Sequence, residues 1–345
     1  METLHERKLY DVNAPNASTG IINGTSSNVL NWDDTRFPWA YSLYKTMLSN
    51  FWTPFEINMS NDIKQYQQLT DDEQRAFNKI IGLLAFLDSI QTDYAGRVAN
   101  YLTDSSLCAL MTVLGFQEVV HNQSYSYVLS SVTNKQNQDE IFEYWKHDEV
   151  LRERNDFIVE GYQRFIDDPT PQTFMESIVF DVILEGLNFY SGFAFFYNLA
   201  RNQKMVSTST MINYINRDEQ QHVNLFARIF KAVREDYPEL KTAENDEFVR
   251  QTFIKAAELE INWGRYIIGD RFDGITMEEL EAYIKFTANT RVKQLGVDSP
   301  FSDYNKNPLP WIKAYSDVNA GKSDFFEQKS RQYTKVTDTN GFDDL

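Results

Sequence analysis

The chain has 345 residues, of which 42% are hydrophobic and 14% aromatic, so it is long enough to build one large domain or two ordinary ones around a substantial core. Its 50 acidic residues outnumber the 33 basic ones and give a formal charge of −17, which argues against a protein that wraps nucleic acid or binds an anionic membrane surface. The single cysteine, Cys108, excludes a disulfide framework, and we expect a reducing, cytoplasmic setting with no nucleic acid and no membrane among the partners.

Helical periodicity dominates the chain after its first 30 residues, and strand-like alternation is scarce. Residues 1–30 are polar and are predicted to be a flexible N-terminal segment, whereas residues 31–296 are predicted to form one all-α domain. Within that domain, helices are predicted from Asp71 to beyond Asp88 and over 104–131, 138–166, 171–200, 209–235, 244–270 and 276–295. Residues 297–345 contain three prolines and a polar end, which predict an extended arm and a mobile C-terminal tail.

Two pairs of these helices carry the same pattern of acids and histidines. A lone carboxylate on one helix is followed by a Glu-x-x-His pair on the next, first as Asp88 with Glu118 and His121, and then as Glu185 with Glu219 and His222. Residues three apart share a face of a helix, so each pair aims a carboxylate and an imidazole at the same point. Two lone carboxylates and two such pairs enclose two metal ions in known helical bundles. This oxygen-rich set suits iron or manganese better than zinc or copper.

Single Glu-x-x-His pairs are weak signals, because most of them are ordinary surface neighbours on a helix. The chain contains such a pair in Glu2 and His5, outside any predicted helix. Asp181 lies one turn before Glu185 and is an alternative ligand on that helix. We favour Glu185 because the residues that flank it, "ILEGLNFYSGF", are more apolar.

A tyrosine is predicted to point toward the same site. Tyr125 follows Glu118 by seven residues, a rotation of about 700°, which returns it to nearly the same side of the helix. Tyr127 falls on the opposite side. Phe189 and Phe193 follow Glu185 on its own face, and Ile215 precedes Glu219 by one turn, so these three residues predict an apolar shell around the phenol.

Several short stretches together resemble a known family, the small, radical-generating subunit of class I ribonucleotide reductase. Its metal-helix motifs are similar to "LLAFLDSIQ" (83–91), "GFQEVVHNQSY" (115–125), "LEGLNFYSGF" (184–193) and "INRDEQQH" (215–222), and its N-terminal tryptophan motif is similar to "SNFWTP" (49–54). The resemblance runs in order from about residue 31 to the end of the chain. It implies a ferritin-like helical bundle with additional helices, a homodimer and a dinuclear iron or manganese centre.

The resemblance also implies roles for individual residues. The metal ligands would be Asp88, Glu118, His121, Glu185, Glu219 and His222. Tyr125 would hold a stable tyrosyl radical, and Trp52 and Asp218 would carry electrons inside the subunit. On the sequence alone, Trp52 would be a core residue and Asp218 a partner of Arg217, and only the resemblance gives these two residues a role in electron transfer. Tyr333 would relay oxidation to the large subunit, which the acidic tail around Phe342 would bind.

The function that the resemblance implies is that of the beta subunit of a ribonucleoside-diphosphate reductase, active only with the large subunit. The small subunit would make and store an oxidising equivalent with which the large subunit reduces ribonucleotides to deoxyribonucleotides. The sequence leaves open the choice between iron and manganese, the need for a flavin-containing activator protein, and the choice between di- and triphosphate substrates. Another di-metal carboxylate oxidase or oxygenase on the same fold is the main alternative, whereas an iron-storage cage is disfavoured by the length of the chain.

Overall fold

The computed structural model describes residues 2–316, and over that range the regular structure is helical, with no β-strand. The helices, in chain order, are α1 Trp39–Ser49, α2 Ser60–Tyr66, α3 Asp71–Tyr101, α4 Ser105–Val132, α5 Lys135–Glu143, α6 Glu149–Asp167, α7 Pro171–Ile183, α8 Tyr190–Arg201, α9 Val206–Asp236, α10 Ala243–Ile267, α11 Met277–Leu295 and α12 Lys313–Ser316. The predicted all-α class is confirmed. The predicted mobile tail from residue 317 onward lies outside the described residues.

Capping side chains fix the starts of the long helices where the sequence predicts them. The Thr70 side chain accepts a hydrogen bond from the backbone N–H of Glu73, whose carboxylate accepts one from the backbone N–H of Thr70 in return. Thr276 opens α11 in the same way, and Gly296 ends that helix with φ of +81°, a left-handed conformation that glycine adopts without strain. These caps satisfy backbone groups that a helix end otherwise leaves without partners.

The single helix predicted over 138–166 is wrong, because the chain breaks between α5 and α6. The Asp148 side chain accepts a hydrogen bond from the backbone N–H of Leu151 at 3.1 Å and so starts a new helix. Asp148 also pairs with Lys79 at 2.6 Å. Trp145, within the break, stacks on Phe86 with ring centroids 4.0 Å apart. A good cap and an aromatic contact therefore override the helical periodicity.

The centre of the bundle consists of α3, α4, α7, α8 and α9. Helix α3 packs along α4, and α9 packs against α4, α7 and α8. The three-residue connection between α3 and α4 makes these two helices antiparallel neighbours. The lone-carboxylate helices and the Glu-x-x-His helices are therefore packed together, as the repeated pattern predicts.

The stretch that was predicted as one helix over 171–200 contains an interruption. A π-helical turn, Leu184–Asn188, separates α7 from α8, and all five of its residues are buried. The segment Pro171–Arg201 is long and apolar enough to cross a membrane, but its most apolar window is 100% buried inside the fold. We therefore interpret this segment as the central core element of the bundle.

The N-terminal segment, predicted to be flexible, contains no helix before α1 but lies against the bundle. Its side chains Leu4, Ile21 and Ile22 are buried. The backbone N–H of Ile21 donates to the Asp236 carboxylate at 2.7 Å, and Arg36 pairs with the same carboxylate at 2.7 Å. These contacts connect the segment to the end of α9.

Candidate metal centre

The structure brings the six predicted ligands together in the interior of the bundle. Each of the six side chains has 0% exposure. Helix α3 supplies Asp88, α4 supplies Glu118 and His121, the π-helical turn supplies Glu185, and α9 supplies Glu219 and His222. The three-residue spacing of each pair places its carboxylate and imidazole on one face, as the sequence predicts.

The six side chains form two overlapping groups of four. One group contains Asp88, Glu118, His121 and Glu219, and the other contains Glu118, Glu185, Glu219 and His222. Within each group, one oxygen or nitrogen atom per residue lies within 4.8 Å of the others. Glu118 and Glu219 belong to both groups. The arrangement therefore offers two adjacent cation sites that share two carboxylates.

Each imidazole turns its Nδ1 atom toward three carboxylates. The Nδ1 atom of His121 lies 3.2, 3.6 and 3.8 Å from oxygens of Glu219, Glu118 and Asp88. The Nδ1 atom of His222 lies 3.0, 3.2 and 3.5 Å from oxygens of Glu118, Glu219 and Glu185. The His121 contacts are short enough for ion pairing but lack hydrogen-bond geometry.

Polar side chains outside the cluster hold the far side of both rings. The Nε2 atom of His121 lies 3.4 Å from a carboxylate oxygen of Asp218, and the Nε2 atom of His222 lies 3.0 Å from the amide oxygen of Gln117. A polar acceptor at the outer nitrogen is the usual way in which a metal-ligating histidine is oriented. Gln117 was not predicted, although it directly precedes Glu118.

Asp218 connects the cluster to the predicted tryptophan. The indole N–H of Trp52 donates to Asp218 at 2.9 Å, and Arg217 donates to the other oxygen of the same carboxylate at 3.3 Å. Trp52 is 5% exposed, and its ring lies over that of His121, with centroids 6.3 Å apart and an angle of 27° between the ring planes. Asp218 therefore contacts Arg217, as one interpretation of the sequence predicted, and also bridges Trp52 and His121.

Burial and like charge control the protonation of the cluster. Burial raises the pKa of Asp88 well above its usual value, and the charges of Glu118 and Glu219 add to this effect. Burial likewise raises the pKa of Glu185 to about 8. In Glu118 the two imidazoles outweigh burial and lower the pKa to about 2. Burial lowers the pKa of both imidazoles, but the carboxylates outweigh it and raise these pKa values well above normal.

Many of the candidate ligand atoms have no hydrogen-bond partner in the described part of the chain. They include both oxygens of Asp88 and of Glu118, one oxygen each of Glu185 and Glu219, and Nδ1 of His121. Buried ligand atoms without partners are costly, on the order of several kcal/mol for a carboxylate, so bound cations would supply the partners that these atoms lack. The donor set and these unpartnered atoms therefore fit a dinuclear metal centre.

Asp181, the alternative ligand, belongs to neither group of four. Its carboxylate accepts hydrogen bonds from the amide of Gln91 and from the hydroxyl of Tyr162, the latter at 3.3 Å. The same Gln91 amide also donates to Glu185. Asp181 thus lies behind Gln91, and the geometry favours Glu185 as the ligand from this segment. Gln91, one turn after Asp88, was not predicted.

The two tyrosines of α4 lie in different environments, as the helical geometry predicts. Tyr125 is 1% exposed, and its hydroxyl faces Asp88 without a hydrogen bond. Burial raises the pKa of Tyr125 well above normal, and the charge of Asp88 adds to this effect. The hydroxyl of Tyr127 instead donates to the backbone carbonyl of Ile57 at 3.1 Å. Tyr333 lies outside the described residues.

The apolar shell predicted around the phenol consists of buried residues. Phe189, Phe193 and Ile215 are each no more than 1% exposed. Phe189 and Phe193 contact each other, with ring centroids 5.8 Å apart. These side chains keep water from the region around the π-helical turn and α9.

Comparison with known proteins decides which family this arrangement represents. Residues 29–308 match the family model described as "Ribonucleotide reductase, small chain". The chain belongs to the ribonucleotide reductase small-chain family. The subunit beta of ribonucleoside-diphosphate reductase from Halalkalibacterium halodurans is 70% identical to it over 345 residues, which cover all of both chains.

Solved structures of ribonucleotide reductases share the fold. A class I ribonucleotide reductase from Bacillus halodurans superposes with a TM-score of 0.87 at 70% identity, covering 90% of this chain and 100% of that one. The ribonucleotide reductase R2 subunit from Clostridium botulinum superposes with a TM-score of 0.89 at 40% identity, covering 91% and 99%. The predicted ferritin-like bundle and the family resemblance are confirmed. The protein functions as the small subunit of a ribonucleotide reductase, an oxidoreductase that also requires a large subunit.

The ligand set can be tested by removing one residue that both groups share and one imidazole. We expect Glu118→Ala combined with His222→Ala to abolish binding of two metal ions per chain, because it removes ligands from both groups. Metal content after dialysis against Mn(II) measures this. Glu2→Ala with His5→Ala removes an exposed pair of the same spacing and should retain two ions per chain. Two ions retained in the first variant would contradict the ligand set.

Proposed function

We propose that the two groups of four hold two iron or two manganese ions, with Glu118 and Glu219 contributing to both sites. The observation that carries this proposal is the convergence of four carboxylates and two imidazoles in a fully buried interior where many of their ligand atoms lack partners. Both metals accept this donor set, so supply in the cell would select between them. If manganese is used, a flavin-containing activator protein is a further expected partner.

Tyr125 is the proposed site of the stable tyrosyl radical. The bound ions would supply the redox chemistry that removes one electron from this phenol. The phenol hydroxyl faces Asp88, a proposed metal ligand, so the phenol lies next to the proposed centre. Because Tyr125 is 1% exposed, reductants in the solvent would have little access to the oxidised ring.

Trp52 and Asp218 form the proposed route by which the stored oxidising equivalent leaves the metal centre. The hydrogen bond from Trp52 to Asp218, and the approach of Asp218 to His121, connect a proposed ligand to a buried indole. From there Tyr333 would relay oxidation to the large subunit, and the acidic tail around Phe342 would bind that subunit. A segment of this kind loses conformational entropy when it binds.

The relatives and the composition support a proposal for the substrate and for the cellular compartment. Relatives named ribonucleoside-diphosphate reductase support ribonucleoside diphosphates as the substrates of the complete enzyme. Their 2′-hydroxyl would be replaced by hydrogen on the large subunit. The single cysteine and the family support a cytoplasmic protein.

Exposed apolar residues at the end of α1 and around the middle of α4 support a homodimer. Phe51 and Phe116 are 56% and 49% exposed, and their rings are nearly parallel at 6.1 Å. Leu48 and Val119, each three residues from one of these phenylalanines in the chain, are also exposed, at 47% and 52%. We call these four residues the apolar patch. Clustered exposed aromatic side chains are typical of protein–protein interfaces.

The homodimer predicts a mass in solution of twice the 40.3 kDa of one chain. We expect Phe51→Asp with Phe116→Asp to give monomers in sedimentation equilibrium, because charges would be buried in the apolar patch. Val206→Asp, at an apolar residue of similar exposure elsewhere, should remain dimeric. A dimeric Phe51→Asp, Phe116→Asp variant would exclude the patch as the interface.

The radical assignment predicts different results for the two tyrosines of α4. After metal loading and activation, the wild-type protein should show a tyrosyl signal in electron paramagnetic resonance. We expect Tyr125→Phe to lose this signal because it removes the phenol that faces Asp88. Tyr127→Phe should retain it, since Tyr127 points to Ile57. A tyrosyl signal that persists in Tyr125→Phe would assign the radical to another residue.

The C-terminal assignments predict a loss of turnover with an intact metal centre. We expect deletion of residues 334–345 to leave the metal content and the Tyr125 signal unchanged but to abolish nucleotide reduction with the large subunit. Tyr333→Phe should block turnover while sparing the signal, whereas Tyr10→Phe, at a tyrosine that is 75% exposed, should turn over normally. Normal turnover in Tyr333→Phe would require a different relay.

A further inference from the structure

Glu185 differs from the other five candidate ligands because it lies in the π-helical turn Leu184–Asn188 and not in a regular α-helix. A π-helical turn interrupts the α-helical ladder and leaves backbone carbonyls without their regular donors. In a protein interior those carbonyls need other hydrogen-bond partners. The turn is completely buried, so its partners have to come from neighbouring helices.

Arg291 of α11 supplies one such partner. Its Nε–H donates to the carbonyl of Gly186 at 2.9 Å, and its Nη2 donates to the hydroxyl of Tyr190. A Cβ atom on residue 186 would lie 2.9 Å from Nε and 3.0 Å from Cδ of this arginine. The glycine next to Glu185 is thus what allows the guanidinium to approach the backbone this closely.

Arg154 of α6 supplies a second partner on the other side of the turn. Its Nη2 donates to the carbonyl of Asn188, and its Nε donates to Glu260 of α10 at 2.6 Å. Glu260 also accepts a hydrogen bond from the hydroxyl of Ser191. A buried ion pair often stabilises a fold no more than apolar residues of the same size would. The role of this pair is therefore better sought in the geometry that it imposes, which is to fix the end of the turn.

We propose that Arg291 and Arg154 are positioning residues that clamp the π-helical turn and thereby hold Glu185 in its cation site. A guanidinium is not a metal ligand, and the contact that each arginine makes with the turn is to a backbone carbonyl, so each would act on Glu185 through the backbone. Glu185 belongs to one group of four and is absent from the other. The clamp therefore controls the affinity for one of the two ions and leaves the other unaffected. This inference rests on the proposed dinuclear centre.

Equilibrium binding of Mn(II) to the metal-free full-length protein tests the clamp, with the number of ions per chain as the readout. In Arg291→Gln we expect one ion to bind with wild-type affinity. The other should bind about tenfold more weakly, which is a loss of about 1.4 kcal/mol in binding free energy. Arg234 provides a matched control, because it is equally buried and pairs with Asp246 at 2.7 Å, away from the turn. Arg234→Gln should bind both ions as the wild type does, even if its melting temperature falls.

Two further variants keep the test decisive if Arg291→Gln fails to fold. Gly186→Ala retains every charge but displaces the guanidinium, and Arg154→Gln with Glu260→Gln removes the second contact while leaving the interior neutral. Both should weaken the same single ion. Wild-type binding of both ions in these folded variants, or equal weakening of both ions, would overturn the clamp. A wild-type protein that fails to bind two ions would instead overturn the dinuclear centre itself.

Discussion

Four carboxylates and two imidazoles without solvent contact are the constraint on which the rest of this structure depends. An ionised carboxylate that is buried without a partner costs on the order of several kcal/mol, and several carboxylates in one cavity also repel one another. The protein compensates in part by holding protons on the cluster, as the raised pKa values of Asp88 and of both imidazoles indicate. Two cations would replace these protons, because metal ligands bind in their deprotonated form.

The surroundings of the cluster are organised to orient it. Gln117 and Asp218 each directly precede a ligand carboxylate and hold the outer nitrogen of an imidazole. Gln91 holds Glu185 and separates it from Asp181. The arginines described above satisfy the backbone of the turn that carries Glu185. A site that is to hold two ions needs this outer layer, since loosely held ligands would bind metal less tightly.

Much of this organisation could be predicted from the sequence because it depends on helical geometry. Residues three and seven apart share a face, which identified the Glu-x-x-His pairs and separated Tyr125 from Tyr127. The break before Asp148 and the π-helical turn could not be predicted in this way, because tertiary contacts cause both. Arg291 was missed for a similar reason: it lies about a hundred residues away from the turn that it contacts. Gln91 and Gln117 have neutral amide side chains, which are common both in cores and on surfaces. Only the structure shows that they contact the cluster.

Anomalous diffraction from crystals grown with Mn(II) tests the central claim most directly. The account predicts two manganese peaks per chain in the interior of the bundle. Glu118 and Glu219 should contact both peaks, Asp88 and His121 one of them, and Glu185 and His222 the other. A single peak, no peak, or two peaks bound by other side chains would contradict the account.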